Sequence, residues 1–357
     1  MRICYVSHSN SHFTKPYVDF FLRRGHEVHL VSLFEADLPG AIHHHPLPGP
    51  IDPVRSKLIY LRALLRVRAI VRSLEPCIVH AHYASSNGVL AAFAGVHPLV
   101  ISVHGTDLGG AVGRARRALL KYALGRADLI NPVSGSFEPL LRSLGAPSER
   151  LLTLTQGVET ERFTTDRSRR AAGPIRIVCT RSLAPHYDSP TIVATLSRLR
   201  EREVPFRFTF AATGPEERSL EREVLARGLS GQVTFLGGYN QDALPALLAQ
   251  ADVYISAARS DGASISLLEA MASGVFPVVS DVPGNRDWLS GQGDGLLFRP
   301  GDPDDLAACL EAACADEALR RSAAERNLAS VRLRGERRTN LGRLEGVYAR
   351  LAGAPDR

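Results

Sequence analysis

Short apolar runs alternate with longer stretches of helical period from one end of the chain to the other. Continuous or period-two apolar runs read as strands, and apolar positions recurring every three or four residues read as helices. In the first half the strand candidates are 3–7, 27–32, 78–80, 99–103, 129–133 and 151–155. Between them lie helical patterns at 16–24, 53–74, 84–94, 114–125 and 136–144. A polar, basic stretch ending in Gly173 and Pro174 then reads as a linker over 165–174. The alternation restarts, with strands at 175–179, 207–211, 233–236, 253–256 and 276–280. Helices are expected at 189–202, 216–227, 243–250, 265–272 and 303–315, and the arginine-rich tail 316–351 is helical by period. Such alternation is the pattern of parallel sheets covered by helices. The expected fold class is therefore α/β, as two Rossmann-like doubly wound domains of similar size facing across a cleft. Ligands of such sheets lie at the carboxyl ends of the strands, which makes that cleft the expected active site.

At 357 residues the chain is too long for one ordinary core, in keeping with two domains. Its formal charge is 43 − 37 = +6, which favours phosphorylated ligands or anionic surfaces and equally fits a solvated arginine-rich exterior. The five cysteines are scattered, form no CxxC pair and are odd in number, which argues against a disulfide framework and for a reducing, cytoplasmic compartment. Met1 leads directly into a strand pattern rather than a signal peptide, and no apolar run approaches the ~18–20 residues of a membrane span. The first turn, SHSNSH at 7–12, lacks GxGxxG spacing, and no GxxxxGK[ST] loop occurs. Dehydrogenase and NTPase chemistry are disfavoured accordingly.

The segment SDGASISLLEAMASGVFPVVS at 260–280 carries the most chemistry. It reads as a glycine turn, a short buried helix and a hydrophobic strand. A helix start presents unpaired amides and a partial positive charge, so it suits a diphosphate. The carboxylates of Asp261 and Glu269 flank that start and can accept hydrogen bonds from hydroxyls. Donors for phosphate beside acceptors for ribose and sugar hydroxyls point to a nucleotide-sugar. Ser266 to Glu269 also fits a capping box, which is the bland account of Glu269.

Within 251–307 the pieces ADVYIS, DGASISLLEAMASG, PVVSDVPGNRDW and GLLF follow one another in an order that resembles retaining glycosyltransferases of the GT-B architecture, the large family four. The resemblance extends over nearly the whole chain. It implies transfer of a sugar from a nucleotide-diphospho-sugar to an acceptor hydroxyl, with retention of configuration, without a cofactor and without a bound metal. By resemblance, Glu269 holds the ribose hydroxyls and Asp261, one methylene shorter than the family's glutamate, faces the donor sugar. Gly262, Ala263, Ser264, Ile265, Ser266 and Leu267 would supply amides to the phosphate or sugar. Arg181 stands where the family places a diphosphate-binding arginine; a surface arginine is the alternative. Five residues on, the family's lysine is replaced by His186, beside Tyr187, and either is a candidate for the substitute donor. Asp287 occupies a position near the donor, and Gly284 permits close backbone approach. In the first half, VHGTD at 103–107 matches the family's HG[ST]D pattern, placing His104 beside the donor sugar as a catalytic residue with Asp261. Asp107 either orients that loop or binds acceptor, and His82 is placed on the acceptor side. The resemblance also implies domains at 1–164 for the acceptor and 175–335 for the nucleotide-sugar, with 336–357 packing back on the first.

Other features carry less. His80 and His82 share a strand face, but without a third ligand they read as polar lining rather than a metal pair. Residues 43–45, three histidines, read as ordinary strand or loop. Asp302, Asp304 and Asp305 suit a helix start. Tyr239 lies near the base or simply packs. Basic stretches at 55–72 and 114–121 interleave leucine, which fits either core-facing helices or peripheral contact with an anionic membrane at the inner face. The acceptor is expected to be a glycan, a lipid-linked or a small-molecule alcohol; nucleic acid is disfavoured. A nucleotide-sugar epimerase of the same plan and a non-catalytic GT-B partner subunit remain alternatives.

Overall fold

The structure is a computed structural model that describes all residues except 10, 12, 35–37, 48–57, 109–112, 167–172, 263, 290, 292 and 354–357, and omits the side chains of 58–61. Ala263, the basic start at 55–57, the beginning of the 53–74 helix and most of the linker at 165–174 fall outside the described residues.

The first half contains β1 (Arg2–Val6), α1 (Thr14–Arg23), β2 (Glu27–Val31), β3 (Ile42–His44), α2 (Leu58–Ser73), β4 (Ile78–His82), α3 (Asn87–Ala94), β5 (Leu99–Val103), α4 (Arg114–Arg126), β6 (Leu129–Pro132) and α5 (Glu138–Ser143). The second contains β7 (Ile175–Cys179), α6 (Ser189–Glu201), β8 (Phe206–Phe210), α7 (Glu217–Ala226), β9 (Val233–Phe235), α8 (Leu244–Ala249), β10 (Val253–Ser256), α9 (Ile265–Ala272), β11 (Phe276–Ser280), α10 (Pro283–Arg286), β12 (Leu296–Phe298), α11 (Pro303–Ala315) and α12 (Glu317–Arg334), and the chain closes with α13 (Arg337–Leu351).

Two compact units result: Met1–Gln156 with Arg338–Arg357, and Gly157–Arg337. Each holds a six-stranded parallel sheet, ordered β3-β2-β1-β4-β5-β6 in the first and β12-β11-β10-β7-β8-β9 in the second. Strand order reverses between β1 and β4 in one sheet and between β7 and β10 in the other. Crevices at such reversals, beyond the carboxyl ends of the strands, are where doubly wound sheets take ligands.

The central strands are buried on both faces, so they read as unbroken apolar runs: LVISV in β5 and VYIS in β10 are buried throughout. β8 sits one strand from the edge and alternates, with Phe206, Phe208 and Phe210 in the core and Arg207 exposed. The 316–351 tail forms two helices. The break falls at Gly335, whose carbonyl accepts from the Val158 amide, while a Cβ on Gly157 would lie 2.1 Å from that oxygen. Beyond the break, α13 belongs to the first unit. Its Leu341, Leu344 and Tyr348 pack into the cluster of Ile3, Tyr5, Tyr17 and Phe21.

α2 buries Ala63, Val67 and Val71 in a helical stripe and turns Arg62, Leu65 and Arg66 outward. α4 likewise buries Leu120, Ala123 and Leu124 while exposing Leu119 and Tyr122 among its basic residues. The five cysteines remain thiols. Among the described residues, no helix is long and apolar enough to cross a membrane, and no group of three or more His, Cys, Asp or Glu is placed to hold a metal ion.

Candidate functional site

In the second unit, the loops following β7 and β10 meet at the strand-order reversal. Arg181 leaves β7 and donates from one terminal nitrogen to Ser264 Oγ at 2.9 Å and to Ser266 Oγ at 3.1 Å. Its other terminal nitrogen forms an ion pair with Asp261 Oδ2 at 2.9 Å. The guanidinium lies over the Tyr187 ring, 4.1 Å from its centroid, and Tyr187 contacts the His186 ring in turn. Tyr254, fully buried on β10, is hydrogen-bonded through its hydroxyl to Ser266 Oγ at 2.8 Å. One of the two serines that orient Arg181, Ser266, is therefore itself held from below.

Arg181 and Asp261 keep only 12% and 10% of their side chains exposed. Burial opposes the arginine's charge, but Asp261 and the phenols of Tyr254 and Tyr187 outweigh it and hold the guanidinium more firmly protonated than usual. Removing one partner of such a buried pair costs about 3–5 kcal/mol, because the other is left uncompensated.

α9 begins here because Ser264 caps it, accepting from the Leu267 amide at 3.3 Å. That contact corrects one expectation. Leu267 spends its amide on the cap and is fully buried, and Gly262 spends its amide on Asp261 Oδ1 at 2.9 Å. The amides of Ile265 and Ser266 have no hydrogen-bond partner among the described residues. They are the donors left to receive an anion at this helix start.

Glu269 sits half-buried further along α9. Burial pushes its carboxyl pKa up to about 7, against the attraction of Arg337, Arg162 and Arg181. Tyr239 is pushed up to about 12 by burial and by Glu269. His186 is the reverse case: burial and the neighbouring Arg181 push its pKa down.

Several braces here carry no sequence signal beyond small size or charge. Arg259 forms an ion pair with the buried Asp188 at 3.1 Å and donates its amide to the His186 carbonyl, tying the β10 loop to the β7 loop. A Cβ at Gly214 would meet the Leu183 carbonyl oxygen at 2.3 Å, which presses the β8 loop against the same turn. Gly284 does allow close backbone approach, and the backbone concerned is the protein's own: a Cβ there would lie 1.9 Å from the Gly262 oxygen and 2.4 Å from that of Asp261. Asp287, one turn on, is half-buried and accepts through its carbonyl from Arg334 at 2.7 Å. A groove of about 320 Å³ lies elsewhere in the same unit, toward the amino ends of β7 and β8, lined in part by Arg176, Arg207 and Thr209. Its lining includes neither Arg181 nor any residue of α9.

In the first unit, His104 follows β5 and is hydrogen-bonded through Nε2 to His82 Nδ1 at 3.1 Å. The two rings stack with centroids 5.2 Å apart, and His104 also lies against Phe13 and Tyr83. His82 is fully buried beneath it. Burial, with His80 and His8 nearby, pushes its pKa well below the usual histidine range. Asp107 is buried too. It accepts from the Ala84 amide at 2.7 Å, the Gly105 amide at 2.8 Å and the His104 amide at 3.1 Å. His82 and Asp107, expected on the acceptor side, are both buried, and Asp107 holds the loop as its other reading had it. Neither offers surface to a ligand; one supports the His104 ring and the other shapes its loop.

His80 lies deeper in the same network, with its pKa pushed down to about 3 by burial and by His104. The side chain of Asn131 gives its amide hydrogens to the Leu152 and Leu154 carbonyls, so its oxygen accepts from Ser102. Ser102 in turn accepts from His80 Nε2 at 2.8 Å, which leaves Nδ1 to accept from the Tyr348 hydroxyl of α13. That chain fixes one tautomer of His80.

Comparison with known proteins bears on both units. The family profile described as "Glycosyl transferases group 1" matches residues 161–329, and that described as "Glycosyl transferase 4-like" matches residues 2–134. The chain is 31% identical over 208 residues to a GDP-mannose-dependent alpha-(1-6)-phosphatidylinositol monomannoside mannosyltransferase of Mycolicibacterium smegmatis; the match spans 54% of this chain and 54% of that relative, about half the length of each. It is 26% identical to a glycogen synthase of Mycobacterium tuberculosis, over 77% of this chain and 68% of that one. Among solved structures, sucrose-phosphate synthase from Thermosynechococcus elongatus superposes with a TM-score of 0.83 at 17% identity, covering 99% of this chain and 100% of the other. Anabaena HepE in complex with UDP-glucose superposes with a TM-score of 0.77 at 16% identity, covering 98% and 100%. Likeness at such identity is likeness of fold.

Proposed function

Since the chain belongs to the GT-B glycosyltransferases of the family-four type, we propose that it transfers a glycosyl group from a nucleotide-diphospho-sugar to an acceptor hydroxyl with retention of configuration. The observation that carries this reading is a guanidinium fixed by two serine hydroxyls, beside the open amides of Ile265 and Ser266, beyond the carboxyl ends of β7 and β10. On this reading the second unit takes the donor. Arg181 and the α9 amides oppose the negative charge that grows on the diphosphate as the glycosidic C–O bond breaks. Glu269 accepts from the ribose hydroxyls, and Tyr187, flanked by His186, keeps the guanidinium in plane. The first unit takes the acceptor, and His104 is its candidate catalytic residue. No protein nucleophile is assigned, because attack on the face the leaving phosphate vacates does not require one.

The acceptor class is a glycan, a lipid-linked or a small-molecule alcohol. The mannosyltransferase named above makes GDP-mannose a donor to try first, and the UDP-glucose complex of HepE adds UDP-glucose. The outward leucines and arginines of α2 and α4 support peripheral contact with an anionic membrane. Co-sedimentation with phosphatidylglycerol but not phosphatidylcholine vesicles is the expected result, and equal sedimentation with both would remove that part.

A thermal-shift series with GDP-, UDP- and ADP-sugars tests the donor, since a ligand at one hundred times its dissociation constant stabilises by about 2.7 kcal/mol. Glu269→Ala is expected to lose nucleotide binding. His104→Ala is expected to lose turnover with nucleotide binding retained. A protein stabilised by none of these donors would end the reading.

A further inference from the structure

We propose that Asp261 is an internal anion that occupies the phosphate site of the free protein and has to be displaced by the donor's diphosphate; this rests on the donor reading of the Arg181 cluster. The carboxylate comes from the β10 loop, lies 2.9 Å from the Arg181 guanidinium, and is as sheltered from water as its partner. Its other oxygen is held by the next amide, Gly262, so the side chain is turned inward rather than outward toward a sugar. The Nε of Arg181 is buried with no hydrogen-bond partner. The carboxylate therefore neutralises the arginine while leaving part of its donor set unused.

A phosphate group has more acceptor oxygens than a carboxylate, arranged in three dimensions. It can take the Arg181 donor and the free amides of Ile265 and Ser266 together, which Asp261 does not do. The exchange keeps the guanidinium compensated at every stage. A buried arginine with no anion in the free protein is avoided, and so is a partner that the substrate cannot replace. The short side chain at this position matters: its reach from the loop ends at Arg181. Once released, the carboxylate is adjacent to the phosphates it has yielded to, and like-charge repulsion then favours departure of the spent nucleotide.

The test is calorimetric titration of the wild type, Asp261→Asn and the double variant Asp261→Asn/Arg181→Ala with inorganic pyrophosphate, and separately with UDP, GDP and ADP. Asp261→Asn is expected to bind pyrophosphate about tenfold tighter or more, with the gain abolished in the double variant. An unchanged or weaker pyrophosphate affinity in Asp261→Asn overturns the proposal, even if nucleotides bind the wild type well. A gain for pyrophosphate with no binding of any nucleoside diphosphate to any form upholds the internal anion and removes the nucleotide reading instead. Should Asp261→Asn fail to fold, the carboxyl carbon resonance of Asp261 in the wild type serves. It is expected to move on adding pyrophosphate, and a fixed resonance under saturating pyrophosphate overturns the proposal equally.

Discussion

The two units share one plan of sheet and helices and bury polar groups in opposite ways. The first buries His80, His82 and Asp107 among tyrosines and backbone amides, and its histidines are kept neutral by desolvation. The second buries a full charge pair, Arg181 with Asp261, and half-buries Glu269 without a matched partner. A neutral network gives fixed geometry where its nitrogens are paired: both of His80 are, and His104 Nε2 meets His82 Nδ1, although His82 Nε2 has no hydrogen-bond partner among the described residues. A charged cluster gives affinity for an incoming charge, and its stability in the free state depends on what currently compensates it. Position and charge are thus assigned to different units.

The largest break of this comparison is Arg181→Ala. It leaves the Asp261 carboxylate buried and uncompensated, at a cost of about 3–5 kcal/mol. It should also weaken nucleoside diphosphates by roughly a hundredfold or more. Denaturant melts and calorimetry read both; a variant of wild-type stability that still binds would show that the cluster is a surface feature.

The units should next diverge in pH dependence. Glu269 has a folded pKa of about 7 against an ordinary 4.5, so the native protein holds an extra proton between those values and loses stability as pH rises through them. His80, lowered from 6.5 to about 3, gives the native protein fewer protons than the unfolded chain in that window, so stability is lost as pH falls through it. Hydrogen exchange should therefore show β10 and β11 loosening toward pH 8, and β4 and β5 loosening toward pH 4. Glu269→Gln should remove the first trend and raise stability at pH 8 by on the order of 2–3 kcal/mol, while weakening nucleotide-sugar binding. Wild-type affinity for a nucleotide-sugar should rise with pH up to about 7 and then level, because ribose hydroxyls donate best to the ionised carboxyl. Affinity that is flat or falls with pH would remove Glu269 from the ribose.

A smaller effect is expected of Gly284→Ala. The added methyl group collides with the 261–262 carbonyls, so the turn carrying Asp261 has to shift, at about 1–3 kcal/mol and with weaker donor binding. Smallest is Tyr348→Phe in the neutral network. It deprives His80 Nδ1 of its donor for about 1 kcal/mol, with donor affinity unchanged. A loss of nucleotide binding in Tyr348→Phe would blur the distinction between the units.

The central strands were legible because burial on both faces leaves an unbroken apolar signature, as in LVISV at 99–103. Among the described edge strands, β6 and β9 were read and β3 and β12 were not: β3 has only Ile42, His43 and His44, half-exposed, and β12 only three residues. The expected strand at 151–155 contributes a single bridge, Leu151 to Ile130, although Asn131 holds two of its carbonyls. In the site, Arg181, Ser264 and Glu269 were named from the residues of the 260–280 segment and from resemblance to the family, and the structure brings Arg181 onto Ser264. Tyr254, Arg259 and Gly214 were not named, since each acts on a residue far away in sequence and belongs to a common residue type.

The sequence by itself determined the two parallel sheets and the residue types gathered after β7 and β10, because burial periodicity and turn chemistry are local in the chain. Only the tertiary structure decided which amides of α9 stay open, that Asp261 faces Arg181, that His82 lies under His104, and that Glu269 holds its proton near neutrality. Those outcomes depend on distances between segments and on exclusion of water, and neither quantity is written in any single stretch of residues.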